Sequence, residues 1–333
     1  MRRLARRAAV AVLAGSSASG CAAPHSMWAP VSEAGESIEA LWWWLLVICT
    51  VVMVVVLTGY AYALLRRRPA SGGRPEPAGR SLFWILVAGA LVPAVILAGL
   101  TAVTLRASAR IAGAGAEDAL EVEVVGHQFW WEIRYAETGV VTANELHLPA
   151  GRPTRVRLVT ADVIHSLWIP RLHGKLDLTP GRAEELVLAP REAGEYRGFC
   201  AEFCGTQHAL MGLLVIAQPE AEFEAWLAAQ ARPAGSPATP EAAAGAALFT
   251  RLDCHLCHRV RGSGAAAPAT VGPDLTHVAS RRTLGAATVA NAPGTLATWI
   301  RDPHVVKPGV RMPATRLADP ELGALVAYLG GLR

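Results

Sequence analysis

The 333-residue sequence predicts a multidomain chain made of a two-helix transmembrane hairpin, an all-β domain and a small all-α domain. Three observations predict it. Two uncharged apolar runs, Leu41 to Leu65 and Leu82 to Leu105, stand near the N-terminus. From Leu120 to Ile216 the text breaks into short alternating segments separated by Gly, Pro and Asn, the pattern of a sandwich or barrel. Beyond residue 240 three segments regain helical spacing around a long irregular middle. At 52 % hydrophobic and 17 % charged residues, the chain is too long and too apolar to be disordered or a disulfide-stapled miniature.

Residues 1–20 read as a signal peptide, with Arg2, Arg3, Arg6 and Arg7 ahead of the apolar run Ala8 to Ala14. Cys21 ends a lipobox-like segment and is a candidate for lipidation. An ordinary cleavage nearby, with Cys21 a bystander, is the alternative.

Residues 37–110 form the hairpin, with spans at 41–65 and 82–105. Each reaches about 36 Å as a helix, enough for a hydrocarbon layer of about 30 Å. Trp42, Trp43, Trp44 and Trp84 suit the interfacial belt. The Arg-rich connection (Arg66, Arg67, Arg68, Arg74, Arg80) belongs in the cytoplasm, which sends both later domains outward. Cys49 and Met53 inside the first span read as lipid-facing or packing residues.

Residues 117–230 are the all-β domain, with strands expected at 121–125, 131–135, 145–148, 154–159, 184–188, 195–199 and 210–217. An amphipathic helix over 219–230 closes it, with Phe223, Trp226 and Leu227 on one face. Residues 231–240, rich in Pro, Ala, Gly and Ser, read as a semi-rigid linker spanning at most about 30 Å. Residues 241–333 are the all-α domain, with helices expected at 241–252, 295–301 and 320–332. It is loop-rich enough to need a cofactor for stability.

Cys254-His255-Leu256-Cys257-His258 carries the CxxCH signature of covalent haem attachment. Two thiols add to the haem vinyl groups and the following His becomes an iron ligand. A redox CxxC or half a zinc site is the alternative, without a second Cys pair or a βαβ pattern to support it. By elimination among the methionines, Met312 is the expected sixth ligand. His277 and His304 are the rivals. Met/His ligation favours electron transfer over oxygen chemistry at the iron.

Between two expected strands, the segment from Cys200 to Met211 concentrates Cys200, Cys204, His208 and Met211, and His165 is the outlying imidazole such a group would recruit. Soft sulfur with imidazole and a weak axial thioether favours copper in an electron-transfer role. A Cys200 to Cys204 disulfide is the alternative in an oxidising compartment.

The run Cys-x-Glu-x-Cys-x-x-x-His-x-x-Met, the upstream Asp162-Val163-Ile164-His165-Ser166, the segment Gly174 to Arg182 and Gly126-His127-Gln128-Phe129-Trp130-Trp131 together resemble subunit II of cytochrome c oxidase. With two spans before them and CxxCH behind, the chain resembles the bacterial branch of that family with a fused cytochrome c, from Ser37 to Leu332. The resemblance implies a cupredoxin-like domain with a binuclear copper A centre. In it Cys200 and Cys204 bridge the metals, His165 and His208 cap them, Met211 lies axial and Glu202 gives its carbonyl. The Glu202 side chain would help hold a magnesium ion shared with subunit I.

The resemblance further implies a class I cytochrome c domain, oxidase subunits I and III as partners, an external cytochrome c as donor and a bacterial plasma-membrane location with both domains on the outer side. Electrons would pass from haem to copper and on to subunit I, where oxygen is reduced to water and protons are pumped. Two departures stand out. Phe129 replaces the Trp that usually follows Gly-His-Gln as the point where electrons arrive, which turns attention to Trp130 and Trp131. Residues 80–84 also lack the family's usual Glu at the start of the second span. A copper A subunit of a nitric oxide reductase and a stand-alone membrane-anchored redox carrier are the alternatives.

The net charge of +4 does not point to nucleic acid, because two stretches flanking the first span each carry +4. Residues 82–225 hold 11 bases and 17 acids, and residues 226–333 hold 11 bases and 6 acids. Opposite charge would guide the two outer domains together, with a salt-sensitive contact.

Overall fold

The computed structural model describes residues 26–66, 78–113, 119–263 and 271–333. The signal peptide, Cys21 and the Arg-rich connection from Arg67 to Arg74 lie outside them.

Helix α1 (Glu33–Leu65) and the combination of α2 (Ala78–Leu86), a π-turn (Val87–Leu91) and α3 (Val92–Gly113) contain the two apolar runs. Both are long and apolar enough to cross a membrane. Their apolar side chains, from Val51 to Leu65 and from Leu82 to Leu105, are mostly exposed along the helices. A helix apolar all round is stable where lipid, not water, meets it. Residues 36–114 form one compact unit, and the two domains that follow belong together to another.

The β domain consists of β1 (Leu120–His127), β2 (Trp130–Tyr135), β3 (Val140–Ala143), β4 (Glu145–Pro149), β5 (Thr154–Thr160), β6 (His165–Trp168), β7 (Leu176–Leu178), β8 (Glu184–Leu188), β9 (Gly194–Cys200) and β10 (Gly212–Gln218). They make two five-stranded sheets, ordered β3-β2-β1-β5-β8 and β4-β10-β9-β6-β7. The β1–β5 and β4–β10 pairs are parallel and the others antiparallel. Trp131, Ile133, Tyr135, Leu146, Leu148, Leu158, Leu167 and Leu188 fill the space between the sheets and are fully buried. Helix α4 (Glu220–Ala231) closes one end, with Phe223 and Leu227 buried and Trp226 stacked on His147 at 3.8 Å.

The last domain contains α5 (Pro240–Arg251), α6 (Cys254–Cys257), a short β11–β12 ribbon (Thr283–Leu284, Val289–Ala290), α7 (Pro293–Arg301), α8 (Pro303–Val306) and α9 (Asp319–Gly330). Helices α5 and α9 cross at Gly245, where an added Cβ would lie 1.9 Å from the Ala324 carbonyl oxygen. Glycine is what lets the helices approach so closely. Leu248, Phe249, Leu296, Ile300, Leu325 and Tyr328 form the core beside that crossing.

The strand list changes. Strands β3, β6 and β7 add to the expected ones, and β10 begins at Gly212, after a 3₁₀ turn over His208–Leu210. The start of the 231–240 linker is bonded to the helical domain. The Arg261 guanidinium donates to the carbonyls of Gln230 and Ala231, His277 Nε2 donates to the Arg232 carbonyl at 2.9 Å, and Ala234 N donates to the Arg261 carbonyl at 2.8 Å.

Candidate metal centres

Strand β6 places His165 at its N-terminal end, β9 delivers Cys200 at its C-terminal end, and the β9–β10 loop folds back to supply the rest. Cys200 Sγ lies 3.9 Å from Cys204 Sγ and 3.9 Å from His165 Nδ1. Cys204 Sγ lies 3.9 Å from His208 Nδ1 and 3.9 Å from Met211 Sδ. The Glu202 carbonyl faces Cys200 Sγ at 3.2 Å. All six residues singled out in the sequence therefore converge. The ligand atoms of His165, Cys200 and Cys204 lie within 4.8 Å of one another, and those three residues are buried. Both cysteines are free thiols, with their sulfurs nearly twice the disulfide length of about 2.05 Å apart.

Local chemistry prepares these groups for a soft metal. Burial pulls the His165 imidazole below its usual range, against the opposing effect of Asp162. Its Nε2 bonds Asp162 Oδ1 at 2.9 Å, which leaves the Nδ1 lone pair facing the sulfurs. Burial and the neighbouring Cys200 push the Cys204 thiol up to about 12, so a bound metal must displace that proton. Gly126 makes room: an added Cβ would sit 2.8 Å from His165 Cδ2. Four sulfur and imidazole ligands, a thioether and a carbonyl around a paired-thiolate core fit copper A. The donor chemistry supports copper, and magnesium at Glu202 stays a proposal.

In the helical domain, α6 holds Cys254 and Cys257 on a single turn directly before His258. His258 Nδ1 bonds the Pro273 carbonyl at 2.8 Å. Burial lowers the His258 pKa, so the ring is neutral with Nε2 free as a ligand. Gly272 lies against it, with an added Cβ falling 2.7 Å from Cε1. Arg281 Nε and His255 Nδ1 are buried without a partner among the described residues. A buried guanidinium nitrogen with an unused donor suits a haem carboxylate, and the residues present fit a covalent haem. Met312 lies half-buried on the loop after α8. Of its two rivals, His277 spends Nε2 on Arg232 and His304 is exposed.

Sequence reasoning missed the face between the two domains. Buried Glu145 accepts from Arg282 N (2.9 Å), Thr283 N (2.7 Å) and Thr283 Oγ1 (2.8 Å). Gly285, Ala286 and Ala287 have φ of 62°, 59° and 57°, a left-handed run that strains the two alanines. That run turns the Ala286 carbonyl to Gly212 N (3.1 Å) and the Ala287 carbonyl to Arg197 (3.0 Å). Nearer the copper residues, Gln207 Nε2 donates to the carbonyls of Lys307 (2.9 Å) and Pro308 (2.8 Å). Lys307 Nζ, also buried, donates to the Phe129 carbonyl at 2.8 Å.

The contacts across this face combine an exposed ion pair with buried hydrogen bonds. Arg282–Glu195 is an exposed ion pair on this face, while Glu145, Gln207 and Lys307 are all buried. Trp130 and Trp131, expected where electrons arrive, are buried as well: Trp130 stacks on His127 at 4.3 Å and Trp131 lies edge-on to His165 at 6.0 Å.

Residues 140–218 match the family described as cytochrome c oxidase subunit II, periplasmic domain, and residues 242–333 match cytochrome c. The chain is 35 % identical to cytochrome c oxidase subunit 2 of Alkalihalophilus pseudofirmus over 218 residues, 65 % of this chain and 62 % of that protein. It is 35 % identical to the Bacillus subtilis protein of the same name, over 66 % of this chain and 64 % of that one. The aligned region thus spans slightly less than two thirds of these relatives. The solved periplasmic domain of subunit II of cytochrome oxidase from Bradyrhizobium japonicum aligns at 26 % identity and a TM-score of 0.34, over 35 % of this chain and 95 % of that one.

Proposed function

We propose that this chain, which joins a periplasmic domain of cytochrome c oxidase subunit II to a cytochrome c domain, is the electron-input subunit of a respiratory haem-copper oxidase. The observation that carries the reading is the set of soft ligands within 3.9 Å contacts around two unpaired cysteines, docked against a CxxCH domain. When bound, the haem and the copper pair supply one-electron redox chemistry. The protein's part is to hold neutral His165 and His258 by their second nitrogens, to keep the sulfurs out of water and to fix the two domains on each other.

No side chain here takes a general acid, base or nucleophilic role in this proposal. Oxygen reduction and proton pumping belong to subunit I, with subunit III alongside. Glu202 would share a magnesium ion with subunit I. The apolar helices would span the bacterial plasma membrane twice, with both redox domains on the periplasmic side, where an external cytochrome c reduces the haem.

The test is copper and iron content of the full chain in detergent, with visible and near-infrared spectra. About two coppers and one iron per chain support the reading. Iron without copper, with Cys200 and Cys204 oxidised to a disulfide, would overturn it.

A further inference from the structure

We propose that Gln128 is the residue that couples the cytochrome c domain to the copper centre. The inference rests on the function proposed above and names the contact through which it works. Gln128 Nε2 donates to the Cys204 carbonyl at 2.6 Å, and its Oε1 accepts from the Arg311 guanidinium. Arg311 directly precedes Met312. The Gln128 main-chain N–H donates to Asp162 Oδ2 at 2.8 Å, and Asp162 Oδ1 holds His165 Nε2 at 2.9 Å. One residue thus touches two of the copper ligands, Cys204 directly and His165 through Asp162, as well as the loop that carries the haem's expected sixth ligand.

The residue type follows from hydrogen-bond polarity. A guanidinium only donates and a carbonyl only accepts, so the side chain between them must accept at one end and donate at the other. A side-chain amide does both. A carboxylate would face the Cys204 carbonyl with a second acceptor, and an ammonium would face Arg311 with a second cation. The other bonds on this loop end farther from Met312: Gln207 meets the carbonyls of Lys307 and Pro308, and Lys307 meets Phe129. When bound, the haem and the copper pair would supply one-electron transfer, which makes or breaks no bond and moves no proton. Gln128 is a positioning residue in that step.

The experiment uses the full metal-loaded chain, with the haem photoreduced and its reoxidation followed together with the copper near-infrared band. Gln128→Leu and Arg311→Leu are each expected to slow transfer by about tenfold or more, the scale on which small misplacements act. The double variant is expected to be no slower than either single variant, since all three lose one bridge. Copper band, metal content and haem potential stay as in the wild type. A wild-type rate in Gln128→Leu with both metals bound would overturn the proposal. Should Gln128→Leu lose copper, Arg311→Leu decides alone, because it leaves the Cys204 bond in place: a slowed rate supports the bridge and a wild-type rate overturns it.

In the chain with haem attached and copper removed, Gln128→Leu should raise hydrogen exchange across residues 307–313. Unchanged protection there would also overturn the bridge. If the wild-type chain passes no electron from haem to copper, the proposed function itself falls, an outcome distinct from any variant's.

Discussion

Replacing Glu145 with Ala tests what holds the two redox domains together. The carboxylate is 2 % exposed and accepts bonds from Arg282 N, Thr283 N and Thr283 Oγ1 at 2.7 to 3.1 Å. Removing a buried charged partner of this kind costs about 3–5 kcal/mol, because the donors left behind stay unsatisfied. At about 1.4 kcal/mol per factor of ten, the docking equilibrium should weaken by roughly a hundredfold to a few thousandfold. Hydrogen exchange at residues 282–287, read by mass spectrometry, should rise to the level of an undocked loop while the β-sheet amides stay protected. Haem-to-copper transfer should slow in parallel. Glu145→Gln, which keeps an acceptor, should lose only about 1 kcal/mol. Unchanged protection at 282–287 in Glu145→Ala would refute the reasoning.

Other outcomes follow from the same contacts. Because Arg282–Glu195 is an exposed pair worth at most about 1 kcal/mol, haem-to-copper transfer should change less than about fivefold between low salt and about 0.5 M; a tenfold or larger drop in stopped-flow or flash kinetics would mean that charge, not buried bonding, docks the domains. Cys204→Ser should abolish the copper near-infrared band while the haem spectrum persists, since the ligand sets share no residue. Burial lowers the His147 pKa to about 4 from the ordinary 6.5, with Gln218 opposing. The unfolded chain therefore binds the extra proton first, and stability should be full above about pH 6.5 and fall by about 3 kcal/mol on acidification to about pH 4. Denaturant titrations should show this loss in the wild type and not in His147→Gln.

The contiguous motifs were legible because their chemistry is local. CxxCH fits within one helical turn, and the copper loop gathers Cys200, Cys204, His208 and Met211 within a dozen residues. His165 was found through its flanking segment. Short strands were harder: β6 and β7 have four and three residues, too few for alternation to show. The docked face was not legible, because Glu145, Gln128, Lys307 and Arg311 are spread along the chain and none belongs to a metal motif. Charge asymmetry pointed to docking but not to its mechanism, since buried hydrogen bonds leave no trace in net charge. The bonds at the linker's start were illegible for a related reason, because Arg261 captures Gln230 and Ala231 from about 30 residues away. Trp130 and Trp131 drew attention by their place after Gln128, yet Trp131 packs inside the sandwich and Trp130, on the other face of the strand, is buried against His127.

Flash photoreduction of the haem in the wild-type chain, followed at the haem and copper bands across a range of protein concentrations, tests the central claim most directly. The expected result is a first-order transfer from haem to copper whose rate is independent of concentration, as a docked cytochrome requires. A rate that rises with concentration, or a copper band that stays oxidised while the haem stays reduced, would contradict it.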